Sequence, residues 1–246
     1  MTGPLSQPFE ERLQEIEAYL DLLEALEVQA GGGLAPRIGE ALITTQQQKV
    51  LYSSVYLQIY NLVEATVTWC VDAVCSAAAD GGRWRPGDLA ETLRREWVRS
   101  IARTHTELST QNRLDSTLRL FQHLVQGLPV EAWEIEKGGG NWDDEQIELI
   151  VRRLGFELQI SPQVHTGIKR PIRDDKGPLK LVKDLRNRLA HGSISFSECG
   201  DGITVVDLKD LKEKTANYLR EVVAAFERFI ASHDYLIPEM RPETGA

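Results

Sequence analysis

The chain has 246 residues, 42% hydrophobic and 26% charged, with a formal charge of −9. That balance fits a globular chain of one domain, or two at most. No apolar run approaches the roughly 20 residues needed to cross a bilayer. Met1–Glu10 has neither the basic start nor the apolar centre of a signal peptide. Three cysteines build no disulfide framework. The expectation is a cytoplasmic protein with no membrane partner.

In chain order, Gln7–Ala30 predicts a first helix, with Leu13, Ile16, Leu20 and Leu23 on one stripe. Gly31-Gly32-Gly33 ends it. No Lys-Ser/Thr follows and no strand precedes, so the glycines are a linker and not a phosphate loop. From about Ile38 to Ala79 runs the longest helical pattern, expected to be the central core helix. Gln58, Asn61, Glu64, Thr68 and Asp72 share a polar stripe along it. That stripe is either a solvent face or one wall of a site. Cys70 and Cys75 lack partners at zinc spacing and fit core thiols.

Gly81–Gly87 breaks the pattern. Asp88 can cap a helix to about His105, and Gln111–Gln126 predicts another, with Leu114, Leu118, Phe121, Leu124 and Val125 as its apolar side. His105 and His123 have no companions at ligand spacing. After Gly138-Gly139-Gly140, Asn141 can cap a short helix over Asp143–Leu154, whose acidic first turn suits the helix dipole. Gly155–Pro178 is expected as loop. Ser193–Phe196 and Ile203–Val206 alternate around a Gly-containing turn and predict a short β-hairpin. Asp207 is expected to cap a last helix ending near Tyr235, and Pro238–Ala246 to be a disordered tail.

The stretch Lys183–Glu198 carries the chemistry. Leu181, Val182, Leu185, Leu189 and Ala190 recur at helical spacing, and Gly192 falls where a left-handed C-cap belongs. Asn187 and His191 are four apart, on nearly one face. Arg186 lies about 140° round from His191, within reach of its long side chain. A fixed cation, an amide and a titratable imidazole at a helix end can hold a phosphate and move a proton. Basic charge gathers here too. Ile168–His191 holds eight basic and three acidic residues, a local +5 against −14 elsewhere, which would draw a phosphate-rich ligand. The plain alternative is that His191 caps carbonyls while Arg186 pairs with Asp184 or a neighbour.

Arg186-Asn187-x-x-x-His191-Gly192 resembles the Arg-x4–6-His signature of the HEPN superfamily. Tyr60-Asn-Leu-Val-Glu64, Arg186–Phe196 and His233-Asp-Tyr-Leu236 together are similar to bacterial HEPN-like nucleases of defence and toxin–antitoxin neighbourhoods. The resemblance covers about half the chain and leaves residues 81–175 unmatched. It implies a mostly α, HEPN-like helical bundle with core helices at about 7–80 and 179–236, a helical insertion at 81–175 and the short hairpin before the last helix, all in one domain.

For function, the resemblance implies a metal-independent endoribonuclease without cofactor, acting as a toxin or antiviral effector. Arg186, Asn187, His191 and Glu64 would be catalytic, and Lys183, Arg188 and Lys180 would bind substrate. Expected partners are RNA, a second copy in a homodimer, and a neighbouring-gene partner or antitoxin. The competing reading is a non-catalytic helical module that keeps the motif for binding RNA or protein. Nucleotide binding finds no phosphate loop to support it.

Overall fold

The computed structural model describes residues 3–33, 35–104, 106–137 and 140–242. It is mostly helical with one short antiparallel strand pair. The chain packs as two compact units. The first comprises residues 1–66, 141–144 and 160–222, and the second residues 67–140, 145–159 and 223–246.

The first unit starts with α1 (Ser6–Gly31), whose Phe9, Leu13, Ile16, Leu20, Leu23 and Leu26 are all buried. These positions recur every three or four residues, the spacing that keeps one helix stripe on a core. β1 (Arg37–Ile38) and β2 (Ala41–Leu42) pair antiparallel, Arg37 opposite Leu42. α2 (Thr45–Ala79) follows, and its residues through Thr66 bury Val55, Ile59, Leu62 and Val63 here. Thr44 and Gln47 cap its start reciprocally, each side chain accepting from the other's backbone N–H. α6 (Pro162–Lys169), α7 (Pro178–Ala190), α8 (Phe196–Cys199) and the first part of α9 (Val205–Ala231) complete the unit. α9 is tied to α1 by Lys209–Glu24, Lys212–Glu17 and Arg220–Glu10 ion pairs.

The strand pair is present, but not where the sequence pattern puts it. Residues 193–206 hold two helix starts instead. Ser195 and Glu198 form a capping box that begins α8, and Thr204 and Asp207 exchange the same bonds at the start of α9. Both segments alternate like strands, yet each contains a Ser/Thr-x-x-Glu/Asp pattern whose side chains satisfy the free N–H groups of a helix start. The N-cap of α9 is therefore Thr204, with Asp207 three residues inside. The expected loop at Gly155–Pro178 likewise contains α6, opened by Pro162 at its first turn.

The second unit contains α2 from Val67, α3 (Glu91–Ile101), α4 (Thr110–Val125), α5 (Asp144–Leu154) from Glu145, and α9 from Val223. Asp88 does not cap α3; its carboxylate accepts from the Arg85 N–H and closes a 3-10 turn at Pro86–Asp88. Trp97, Leu93, Val71, Val74, Ile147, Val151 and Phe226 form its core. Glu96 is 4% exposed and is gripped by Arg153 through both oxygens and by Arg99. α9 stops at Ala231, four residues before the expected end. Residues 88–90 then pair with Tyr235–Ile237. Beyond them, Pro238–Met240 forms a 3-10 turn and Arg241 pairs with Asp234 at 2.7 Å. That order replaces the expected disorder as far as residue 242. Residues 243–246 lie outside the described residues, as does His105. Cys70 and Cys75 are buried, and burial pushes both thiols up, Cys75 to about 12.

By length and composition α2 is apolar enough to cross a membrane, which the absence of a long apolar run did not suggest. Its most apolar face is spent on protein cores instead, with Val55, Ile59, Val67, Cys70, Val71 and Val74 fully buried.

Gly200 tests the packing of the first unit. A Cβ there would sit 2.0 Å from the Lys49 carbonyl oxygen, and backbone cannot swing aside. Gly200→Ala is expected to cost about 2 kcal/mol and lower the thermal midpoint by about 5 °C. An unchanged melt followed by circular dichroism would contradict this packing.

Candidate active site

α7 begins with Pro178 at its first turn and buries Leu179, Leu181, Val182, Leu185 and Leu189. With that stripe fixed inward, Arg186 and Asn187 stand on a half-buried flank. The helix ends in a Schellman motif. His191 is the C-cap, Gly192 takes φ +68°, Gly192 N–H donates to Leu189 O, and Ser193 N–H donates to Arg188 O at 2.8 Å. Glycine is required at 192 because other residues pay a steric cost in that conformation. The imidazole of His191 is exposed at the carbonyl end of the helix.

Arg186 is held from three sides. Its guanidinium carbon lies 4.1 Å from the centre of the Tyr60 ring. Its Nη2 donates to Glu64 Oε2 at 3.3 Å, and its Nη1 donates to Asn187 Oδ1 at 2.7 Å. Tyr60 and Glu64 are one turn apart on α2 and so face the same neighbour. Tyr60 is buried, which pushes its phenol up, so the ring stays neutral beneath the cation. The Glu64 carboxylate is 40% exposed, and a pair that open to water contributes under about 1 kcal/mol. The stack on Tyr60 is worth about 1–2 kcal/mol. Tyr60 is thus at least as important as Glu64 in fixing the guanidinium.

The segment Asn141–Asp144 belongs to the first unit and runs along this site. Asn141 Oδ1 accepts from Asn187 Nδ2 at 3.0 Å, and Trp142 N–H donates to the Tyr60 hydroxyl at 3.2 Å. Asp143, 2% exposed, pairs with Lys183, and Asp144 pairs with Lys169. Asn187 therefore uses its oxygen on Arg186 and its nitrogen on Asn141, which fixes the amide plane. Asp143 and Asp144, at the start of α5, are also the counter-ions of two lysines.

The structure brings Arg186, Asn187 and Glu64 together and leaves His191 at the open end of the same helix. Lys183 faces Asp143, not solvent. Asp184 lies 2.8 Å from Lys176 and 3.9 Å from Arg188. Lys180 is exposed. The basic stretch is therefore much less positive in space than along the chain, because Glu64, Asp143 and Asp144 arrive from outside it. Tyr60 and Asn141 carry roles that spacing alone did not assign. The i, i+4 pairing of Tyr60 with Glu64 offers a signal for the first. Asn141, 46 residues from Asn187, offers none.

The HEPN_MAE_28990-like HEPN family model matches residues 1–235. The chain belongs to this HEPN family. No curated protein and no solved structure matches it. The match runs through residues 81–175 of this HEPN chain as well as through the motif helix.

The Lys183–Asp143 pair yields a stability test. Breaking a buried ion pair by removing one partner costs about 3 kcal/mol. Lys183→Met is expected to destabilise the chain by that amount in denaturant melts, and by much less in an Asp143→Asn background. Equal losses in both backgrounds would mean that the two side chains do not interact.

Proposed function

We propose that this HEPN protein is a metal-independent endoribonuclease of the cytoplasm, acting as a toxin or antiviral effector. Its family membership supports the general reading, since HEPN proteins are commonly nucleases. The observation that carries it here is a guanidinium fixed by Tyr60, Glu64 and Asn187, on the same helix as an exposed terminal imidazole.

RNA supplies its own nucleophile. A general base takes the proton of a ribose 2′-hydroxyl, the oxygen attacks the adjacent phosphorus, and a general acid protonates the departing 5′-oxygen. The products carry a 2′,3′-cyclic phosphate and a 5′-hydroxyl. His191 handles a proton. Arg186 places a planar, permanent cation against the crowded phosphorane. Asn187 positions Arg186, and Glu64, Tyr60 and Asn141 hold both residues in place. Arg188 and Lys180 engage flanking phosphates. Lys183, bound to Asp143, contributes more through its hold on the 141–144 segment than through direct binding.

The step needs a proton donor as well as an acceptor, and the motif supplies one histidine. His123 is buried against Trp97 with its Nε2 2.7 Å from the Pro129 carbonyl, so it serves its own unit. A two-fold pairing of motif helices would place a second His191 at the same phosphate. The active species is then a homodimer, restrained or recruited by a neighbouring-gene partner.

Incubation with RNA in chelator is expected to give cleavage by wild type. Arg186→Ala and His191→Ala should each be at least about 100-fold slower with unchanged circular dichroism. Cleavage by folded His191→Ala at the wild-type rate would remove His191 from the chemistry, and no cleavage by wild type would leave the non-catalytic module as the better reading. Tyr60→Phe keeps the stack and should retain most activity, whereas Tyr60→Leu should lose about tenfold. Equal rates for the two would remove Tyr60 from the positioning role.

A further inference from the structure

α4 is packed inside out. The five large apolar side chains that make its sequence look like a core helix, Leu114, Leu118, Phe121, Leu124 and Val125, are between 52% and 66% exposed. What faces its own unit is the other side. His123 is buried with its Nε2 on the Pro129 carbonyl, and Ser116 and Leu120 are half-buried beside it. At about 100° per residue, Leu114, Leu118, Phe121 and Val125 fall in a strip roughly 60° wide, and the inward residues lie about 180° round from it. The Ser109 hydroxyl caps the start of the helix by accepting from Asn112 N–H, so the helix is a complete element.

The spacing of the strip fits a second copy of the same helix. Leu114, Leu118, Phe121 and Val125 are four, three and four residues apart, the d-a-d-a order of a two-helix seam. Set a two-fold axis across the helix midway between Leu118 and Phe121. Leu118 then meets Phe121 of the second copy, and Leu114 meets Val125 of the second copy. Both layers pair a with d, as an antiparallel helix pair requires. The flanks also match. Asp115 comes opposite Gln122 of the second copy and Thr117 opposite Leu124 of the second copy, so no like charges meet.

Five side chains more than half exposed present on the order of 500 Å² of apolar surface. That is the upper end of what a monomer leaves open and below the roughly 800 Å² per partner of a standard stable interface. A contact of that size is reversible and depends on concentration.

We propose that the exposed face of α4 is a self-association surface, which pairs with the same face of a second copy of this chain. It is independent of the nuclease reading and uses no residue of the motif helix. Where the motif helices also pair, the two contacts build assemblies larger than a dimer.

Sedimentation velocity of the full chain across a concentration series tests it. The mass is expected to rise with concentration, and Leu118→Glu combined with Phe121→Glu should halve the mass reached by wild type, with RNA cleavage per chain unaffected. A second variant guards against misfolding of the first. Cys70, Cys75 and Cys199 are buried, so in an equimolar mixture of a Leu118→Cys variant and a Phe121→Cys variant each chain carries one new reactive thiol, and mild oxidation should link two chains. An unchanged mass in the folded double-Glu variant would overturn the proposal, whether the cause is association through the motif helix or a different protein as the natural occupant. So would a wild type that stays monomeric throughout, or a mixture of the cysteine variants that forms no crosslinked dimer.

Discussion

The stacking of Arg186 on Tyr60 is the contact around which the first unit's site is arranged. A guanidinium on a long side chain has many rotamers, and an exposed arginine would sample most of them. Here the ring below, the carboxylate of Glu64 and the amide of Asn187 leave it one plane. α2 supplies the ring and the carboxylate from one turn, and α7 supplies the cation and the amide from adjacent positions. Both helices are held by buried apolar stripes, so the placement of the cation follows from core packing. Positioning of this kind matters for a reaction that gathers negative charge on phosphorus, since a donor already in place does not have to reorganise as charge develops.

Charge is handled in the same economical way. The segment from Lys169 to Arg188 looks like a phosphate-binding surface when counted along the chain. In three dimensions Asp143 and Asp144 reach in from a four-residue excursion of the chain and occupy Lys183 and Lys169. The same excursion fixes the Tyr60 hydroxyl through Trp142 N–H and the Asn187 amide through Asn141. The proposed attraction for RNA would therefore rest on fewer cations than the sequence count suggests, because Asp143 and Asp144 occupy Lys183 and Lys169.

Much of this was legible before the structure. The periodicity of α1 named its buried stripe of Leu13, Ile16, Leu20 and Leu23, and the glycine after His191 does adopt the left-handed conformation that ends a helix. Glu64 lies on the same polar stripe of α2 that the spacing defined, and it reaches Arg186. The errors have physical causes. Ser193–Phe196 and Ile203–Val206 alternate as strands do, but their capping boxes satisfy helix starts, and local hydrogen bonds outweigh a four-residue alternation. The apolar side of α4 is real, yet periodicity reports only that a helix has an apolar face and not what covers it. Asn141 and Asp143 reach the site through contacts 46 and 40 residues away in sequence, which no local pattern encodes.

The central claim is that Arg186 and His191 act on a phosphate attacked by its own ribose. The chemistry of the cut ends tests it most directly. A short RNA with a single ribonucleotide in a 2′-deoxy background, treated with the purified chain in chelator, should be cut only after that ribonucleotide. The fragments should carry a 2′,3′-cyclic phosphate and a 5′-hydroxyl. Cleavage at deoxy positions, or fragments ending in a 5′-phosphate, would contradict it.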